Sequence, residues 1–485
     1  MPRNTRGGVK RHGLAALAVA GLLAGAVAGC GSGGGGGSAG TAADAQLPAG
    51  PTASSWNLTA SDRALLSSPK LNDVTTTSTC HAHSTTLSFW SSVQDINRAV
   101  NYYNLTHPSV CVKLDVSSGP SEYSQLEIAL KANSGAPDVV KVAQTDVTDL
   151  ALSGALLNMA KYGAAAAQKD FVPWSWKIVS PSSSEVWGIP QDSGPLGLMY
   201  NTRIFQKYHL AVPTTWAQFA AESRQLHAEA PGIYLTDYPT LPAEEIIWWQ
   251  TGAYPVHWTY GSTTLAENYD LPGAVTAAKY WDGLYKQGVL GSVSVNASFS
   301  AMAKGQIASQ FAPAWLANLF TTEGSTAGDW KVAPLPQWSA GKNVDVDEGG
   351  SVTAVTKVTS HPQQATAFSI WLGTAAPAQY LLANAPISLF PTDEGVLGNK
   401  QFLSGTIALT GSQKIWSTYS GLSNDIDQSW EWSPIEPYVE TAFGDDFDQV
   451  LVGKLTMTAL LPELNRQVAA EAKGDGFHVT QLGSS

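Results

Sequence analysis

The chain has 485 residues, enough for two domains rather than a single hydrophobic core. Charged residues make up 14% of it and the net charge is −12. Proteins that bind nucleic acid carry a basic footprint, so nucleic acid is excluded as an expected partner. The 17 Trp, 16 Tyr and 13 Phe lie in a neutral, polar background, which favours an uncharged polar ligand.

Residues 1–29 are predicted to be an export signal. A basic segment, 3–11, precedes an apolar segment, 14–27, that is too short to span a bilayer as a free helix. Cys30 follows small residues in a manner that resembles the bacterial lipobox, which implies that Cys30 is lipidated. An ordinary signal peptide with an incidental Cys30 is the alternative. Residues 30–79 are assigned to a glycine-rich tether and a lead-in, and we expect an exported protein anchored to the outer face of the cell membrane.

Two further cysteines, Cys80 and Cys111, face an oxidising compartment after export. Cys80 precedes a predicted strand, 85–90, and Cys111 lies in another, 110–116. If these strands are parallel neighbours, a disulfide between the two cysteines is geometrically feasible and would stabilise the fold by roughly 3–4 kcal/mol. Two separate buried thiols are the alternative. The chain lacks a CxxC motif and a Cys/His cluster, so we expect no metal and no cofactor.

The residues after Thr85 alternate between strand and helix patterns. Strands are predicted at 85–90, 110–116 and 136–142, with helices at 94–107 and 122–133. Such alternation indicates βαβ units and a mostly parallel sheet, whose ligands bind beyond the carboxyl ends of the strands. The candidate ligand-contacting residues at these ends are Trp90, Ser91, Gln94, Gln144 and Asp146.

A central segment, 186–219, contains a short strand, a polar turn at 191–195 and a second strand, 196–200. A helix is predicted to start near Trp216, with Thr214 or Thr215 as its N-cap. The turn carries an acid and a hydroxyl where two strands end, in a position to meet a polar ligand. These two residues are Asp192 and Ser193.

This central segment resembles the family 1 extracellular solute-binding proteins, the sugar-binding subunits of ABC importers. The resemblance extends over about 84–470. It rests on Phe89-Trp90, Pro137-Asp138-Val139-Val140, Pro313-Ala314-Trp315 and Glu348-Gly349-Gly350-Ser351 in this order. It implies an α/β, two-lobed fold of the periplasmic-binding-protein type (type II), with interleaved lobes joined by hinge crossings.

The resemblance also places the lobes. Lobe 1 takes 80–192 and 350–395, lobe 2 takes 193–349 and 396–475, and 476–485 is a tail. The segment 186–219 then becomes the first crossing, with Asp192 on the hinge side of the cleft.

Aromatic rings and a few polar groups are the expected ligand contacts, because sugar rings stack on flat side chains while their hydroxyl groups need polar partners. Trp90 and Trp315 match family positions that border the cleft. Further candidate platforms are Trp248, Trp249, Trp258, Trp430 and Trp432, each of which could equally be a core residue. Asp192 is the leading polar candidate. The others are Gln94, Gln144, Asp146, Glu348 and the backbone of Gly349.

The function implied by the resemblance is capture of a carbohydrate, preferably an oligosaccharide, by lobe closure and its delivery to an ABC permease. We expect a monomer without catalytic activity. The alternative is an exported carbohydrate-active enzyme, a glycoside hydrolase using Asp345, Asp347 and Glu348. A third hypothesis is a binding module that signals without transport.

Overall fold

The computed structural model describes residues 56–116, 122–132, 134–238, 245–291, 295–317, 328–385 and 388–483. The predicted export signal, the lipidation of Cys30 and most of the predicted tether lie outside the described residues. Among the described helices, none has both the length and the apolar character needed to cross a membrane.

The described strands are short except for two that cross the molecule. They are β1 Thr85–Trp90, β2 Val110–Asp115, β3 Val139–Ala143, β4 Ile189–Asn201, β5 Val256–His257, β6 Thr264–Glu267, β7 Ser309–Pro313, β8 Trp330–Pro334, β9 Asp347–Val355 and β10 His478–Gln481. The first three strands match the predicted strands to within a few residues.

Helices cover the strands and supply most of the chain between them. They are α1 Ala60–Leu66, α2 Asn97–Thr106, α3 Glu122–Lys131, α4 Val147–Leu152, α5 Pro173–Val179, α6 Thr202–Lys207, α7 Trp216–Glu229, α8 Pro272–Lys286, α9 Val295–Ala303, α10 Pro362–Thr374, α11 Ala376–Ala383, α12 Glu394–Leu397, α13 Lys400–Leu403, α14 Ile415–Asn424, α15 Glu436–Leu451 and α16 Met457–Gly474. Thr215, one of the two threonines predicted as N-cap, caps α7 and forms a capping box with Gln218.

The main sheet has the order β2-β1-β3-β9-β4-β7, and β8 also pairs with β4. The βαβ prediction is confirmed in the first half, where β1 is parallel to both β2 and β3. The rest is antiparallel, since β9 pairs with both β3 and β4. A smaller sheet joins β10, β6 and β5. The fold is therefore mixed α/β, with β4 and β9 linking its two halves.

The predicted polar turn at 191–195 is wrong, because β4 runs through it as one strand of 13 residues. Asp192 pairs with Ser351 and Ser193 with Gly350 on the antiparallel β9, with register shifts beside Pro190 and Pro195. Proline has no N–H to donate to a ladder, so β-bulges accommodate the two prolines without ending the strand. The segment is a bulged crossing rather than a turn.

Two hydrophobic cores pack against this crossing, since Met199 of β4 belongs to one and Leu198 to the other. One core joins β1–β3 with α2 and α10 around Phe89 and Phe368. The other joins α7, α8, α15 and α16 around Trp216 and Trp281. The helices α13 and α14 pack into the first core through Phe402 and Trp416. The exact lobe boundaries given above stay a prediction.

The disulfide predicted between Cys80 and Cys111 is present, with the two Cα atoms 5.2 Å apart. Its basis was the parallel pairing of the two strands, and β1 and β2 are paired in this way, with Thr86 opposite Cys111. The bond ties the lead-in, which includes the short helical turns Pro69–Asn72 and Thr76–Thr79, to the edge strand of the sheet.

Candidate functional site

Three elements meet where the two halves face each other. The first is the turn Gln144–Asp146 at the carboxyl end of β3, and the second is the start of β9. Gln144 joins them, since its Nε2 donates a hydrogen bond to Asp347 Oδ2 at 2.7 Å and another to the carbonyl oxygen of Gly349. The third is the N-terminal part of α15, where Glu440 forms a hydrogen bond with Thr145 of the turn. Both halves of the molecule thus contribute to one cleft.

The crossing strands approach each other closely beside Trp315. The indole Nε1 of Trp315 donates a hydrogen bond to the carbonyl oxygen of Glu348 at 2.8 Å. A Cβ atom on Gly194 would lie 1.9 Å from that same oxygen. The backbones of β4 and β9 can come this close only because Gly194 has no side chain. Trp315 therefore sits against the hinge and remains half-buried.

Five acidic side chains gather around the cleft: Asp146, Glu245, Glu348, Glu436 and Glu440. We call them the cleft carboxylates. Glu440 acts electrostatically on Asp146 and on Glu436. It is also affected by Glu348, which forms a side-chain hydrogen bond with Glu245. The five carboxylates come from the end of β3, the start of β9, the π-helical turn Glu245–Trp249 and α15. Because they act on one another electrostatically, we treat them as one unit.

Glu440 shows that this unit lies in a crevice open to water. Its side chain is exposed. The surrounding protein nevertheless removes much of the bulk solvent around the carboxyl group, and this raises the pKa of Glu440 to about 7. A side chain that is both accessible and enclosed on most sides lies in a cleft. Burial, followed by the charge of Glu440, raises the pKa of Glu436 to about 8.

Two further acids, Asp192 and Asp347, lie beneath the cleft at the hinge. Asp347 is fully buried and accepts hydrogen bonds from Gln144 and, at 2.7 Å, from the amide of Gly194. Burial raises the pKa of Asp347 to about 8 and that of Asp192 to about 6. The Oδ1 atom of Asp192 is buried without a hydrogen-bond partner, and Asp192 raises the pKa of Asp347 further.

Three tryptophans that are close in sequence to Glu245 and Glu436 form an aromatic cluster. Trp249 ends the turn that holds Glu245, and its ring stacks on Trp430 with centroids 5.0 Å apart. Trp432, four residues before Glu436, meets both rings edge to face. Trp249 is 3% exposed, whereas Trp432 is only half-buried. Trp432 therefore offers a more accessible ring, with Trp249 behind it.

The remaining residues predicted to contact the ligand differ in their exposure and in their hydrogen bonds. Trp90 ends β1 and is half-buried. Ser91 has no exposed surface, and its Oγ accepts a hydrogen bond from the amide of Val93. Ser193 is 1% exposed and its Oγ has no hydrogen-bond partner. Gln94 is exposed. No described contact brings Ser91 or Gln94 to the cleft carboxylates.

Trp258 also lies in its own loop. Its indole Nε1 donates a hydrogen bond to the carbonyl oxygen of Ser262 at 3.0 Å, and its ring meets Tyr260 and Phe477 edge to face. Its backbone amide donates to Glu431. None of the described contacts of Trp258 reaches the cleft carboxylates.

The acids considered for hydrolysis are placed unfavourably for that role. Asp345 is 2% exposed and Asp347 has no exposed surface, so neither carboxyl group can contact a substrate in this conformation. Within the described ranges, no group of three or more His, Cys, Asp or Glu side chains is arranged to hold a metal ion.

Sequence reasoning missed Glu245, Glu436 and Glu440. Glu436 and Glu440 are four residues apart on α15, a spacing that places them on one face of a helix. This spacing could have linked the two acids to each other. It could not have shown that their face lies opposite Asp146, some 290 residues earlier in the chain.

Comparison with known proteins identifies the family. The family described as "Bacterial extracellular solute-binding protein" matches residues 90–379. An uncharacterized lipoprotein in the oleD 5' region of Streptomyces antibioticus is 27% identical over 153 residues, which cover 30% of this chain. The chain spans only 33% of the length of that curated relative in the match.

Solved structures share the fold. An ABC-transporter-associated binding protein from B. animalis subsp. lactis Bl-04, in complex with beta-1,6-galactobiose, is 23% identical with a TM-score of 0.72; the match covers 82% of this chain and all of that one. The galacto-N-biose-/lacto-N-biose I-binding protein from Bifidobacterium longum, in complex with lacto-N-biose, is 22% identical with a TM-score of 0.71 and the same coverage.

The sugar-binding protein MalE from Xanthomonas citri is 19% identical with a TM-score of 0.66, over 81% of this chain and 98% of that one. These likenesses confirm the predicted two-lobed, type II binding-protein fold. The family match covers more than half of the chain and confirms the predicted membership. This chain belongs to the bacterial extracellular solute-binding proteins.

Proposed function

We propose that this protein captures a saccharide in the cleft between its lobes and delivers it to the permease of an ABC importer. It acts as an exported receptor held at the outer face of the membrane by a lipid on Cys30, and it works as a monomer without catalysis. The observation that carries the proposal is the likeness of the fold to solved binding proteins that hold disaccharides.

The cleft chemistry supports a saccharide as ligand. Half-buried rings at Trp90, Trp315 and Trp432 offer flat faces to the apolar side of a sugar ring. Glu348 and Glu440 offer carboxylate oxygens to hydroxyl groups. Gln144 and Gly349 shape the cleft floor, with Asp146, Asp192 and Ser193 beside them. Trp249 supports the accessible rings, while Ser91, Gln94 and Trp258 would reach a ligand only after rearrangement.

Lobe closure would couple binding to transport. The contacts between the two halves include polar ones, such as Thr145 with Glu440 and the ion pair of Lys177 with Glu431 at 3.8 Å. A partly exposed ion pair contributes little, about 0–1 kcal/mol. A ligand that bridges both sides therefore adds the differential affinity that favours the closed state. A permease would recognise the closed form.

The test is a saccharide panel with the chain from residue 31 onward. Isothermal titration calorimetry and thermal unfolding would follow binding, and chromatography of the sugars after incubation would detect any product. We expect at least one disaccharide or longer oligosaccharide to bind and to raise the unfolding temperature without being cleaved. Cleavage would favour the carbohydrate-active enzyme instead.

A pair of tryptophan variants locates the site. Trp432→Ala should weaken binding by about tenfold or more, because an aromatic platform contributes a kilocalorie or two per mole. Trp371→Ala is the matched control, since Trp371 is likewise half-buried but packs against Tyr103 and Phe368 in the first core. Equal losses in both variants would place the ligand elsewhere.

A further inference from the structure

We infer that the saccharide carries a positive charge, in the form of a free amine, and that the cleft carboxylates hold this amine. The inference rests on the proposed function and narrows its substrate class. It departs from the low overall charge of the chain, which by itself favours an uncharged ligand. The positions of the acids in the structure favour a positively charged ligand instead.

Four of the five cleft carboxylates form no ion pair with a basic side chain of the described residues. Across the described ranges, no Lys, Arg or His nitrogen lies within 4.0 Å of a carboxylate oxygen of Asp146, Glu348, Glu436 or Glu440. The buried Lys141 lies close enough to act electrostatically on Asp146, but it forms no ion pair with that residue. Four acids therefore share one cleft without a bound cation.

The internal segments that the structure does not describe cannot supply the missing charge. They comprise residues 117–121, 133, 239–244, 292–294, 318–327 and 386–387. Their sequences contain two glutamates, Glu244 and Glu323, and no Lys, Arg or His. Apart from the buried Lys141, which acts electrostatically on Asp146 and Asp192, a cation for the cleft therefore has to come from outside the chain between residues 56 and 483.

Buried polar groups without partners point to a ligand at the same place. Asp192 is 5% exposed, its Oδ1 has no hydrogen-bond partner, and its charge acts on Asp347 next to Glu348. The indole Nε1 of Trp430 is also buried without a partner, in the cluster that adjoins Glu436. Unsatisfied groups of this kind cost free energy unless a ligand or water meets them.

An amine fits this site better than a metal ion. The carboxylates are not arranged as a metal-binding group within the described residues. An ammonium group has three donors and needs acceptors spread around it, which carboxylates from separate elements provide. The half-buried ring of Trp432, backed by Trp249 and Trp430, provides a face for the rest of a sugar and attracts a cation placed over it.

The raised pKa values of the cleft acids give amine binding a measurable signature. Burial raises the pKa of Glu348 and holds that of Asp146 well above its usual range. The groups that face these two include Lys141, Asp149, Glu245, Asp347 and Glu440. A bound ammonium would lower these pKa values, so that the carboxyl groups release protons as the amine binds.

The decisive experiment compares saccharides that differ only in one charge. Glucosamine, galactosamine and their β-linked dimers would be titrated at pH 7 against the same sugars carrying N-acetyl groups. We expect the best amine to bind at least about tenfold more tightly than its N-acetyl partner, as a charge-assisted hydrogen bond would give. Titrations in two buffers of different ionisation enthalpy should show proton release with the amine alone.

A conservative variant ties the effect to the cleft. Glu440→Gln, at an exposed position, should weaken binding of the amine at least about fivefold more than it weakens binding of the N-acetyl form. Asp448→Asn is the control, since Asp448 is exposed on the same helix outside the cleft.

Three results would overturn the inference. The first is equal or tighter binding of the N-acetyl sugars, and the second is binding of neutral saccharides alone. Both leave the proposed function intact, whereas binding of no saccharide at all would contradict the proposed function itself. The third is a thermal shift with 1 mM calcium chloride that Glu440→Gln abolishes, because the occupant would then be a metal ion.

Discussion

Gly349 lies where the hinge, an indole ring and the cleft carboxylates meet. Its φ of +80° lies in the left-handed region, and Gly350 beside it has a φ of +112°. A Cβ atom at Gly349 would lie 3.0 Å from the indole Nε1 of Trp315. That nitrogen donates to the carbonyl oxygen of Glu348, so Gly349 allows the ring to reach the preceding residue.

Substitution of Gly349 by alanine tests this arrangement. A residue with a side chain pays about 1–2 kcal/mol for a left-handed conformation, and here Trp315 would also have to move. Gly341→Ala is the control, because Gly341 has a φ of +76° with nothing within 4 Å of its Cβ position. Urea unfolding should show a larger loss of stability for Gly349→Ala. Equal losses would mean that Trp315 does not depend on Gly349.

The sequence allows candidate residues to be chosen one at a time, but it does not show which side chains lie beside them in the fold. Asp192, Gln144 and Trp315 could be chosen as candidates because each ends or crosses a strand, and strand patterns are local; their contact with a ligand stays a prediction. Glu436 and Glu440 were not found, since their place depends on how α15 lands against the turn after β3. That packing is set by contacts far apart in the sequence, which periodicity does not encode.

The secondary-structure elements also divide into those that the local sequence predicts and those that tertiary contacts determine. The strands β1, β2 and β3 followed from alternation between apolar and polar residues, which depends on their own side chains. The turn predicted at 191–195 followed from Gly and Pro, which usually interrupt strands. In β4 the partner strand β9 supplies the pairing and the bulges absorb the prolines, so tertiary contacts override the local signal.

The disulfide between Cys80 and Cys111 should stabilise the first half of the fold. It closes a loop with a sequence separation of 31 residues, for which the chain-entropy estimate is roughly 3–4 kcal/mol. Replacing both cysteines by serine should lower the unfolding temperature. A reductant should lower that of the natural chain to the same value and leave the double variant unchanged. An effect of the reductant on the double variant would show that another process is responsible.

In the whole molecule, four acids of the cleft and hinge, Asp192, Asp347, Glu436 and Glu440, have raised pKa values. Burial is the largest cause for each of them. The pKa rises from 3.8 to about 6 for Asp192 and about 8 for Asp347, and from 4.5 to about 8 for Glu436 and about 7 for Glu440. The two crossings and α15 bring these groups together, so the interleaved fold itself creates the acidic cleft.

This concentration of raised pKa values predicts that the ligand-free protein is most stable in mild acid. A carboxyl group with a raised pKa binds its proton more tightly in the folded state, so the free energy of unfolding falls as pH rises from about 4 to about 8. Each such group contributes at most about 1.4 kcal/mol per pH unit.

Urea unfolding between pH 5 and 8.5 should show this decline. Glu436→Gln, which removes one buried titrating group, should make the decline shallower. A free energy of unfolding that rises over this range would mean that the acids are ionised in the folded protein, and the cleft would then hold its charges without need of a proton or a cation.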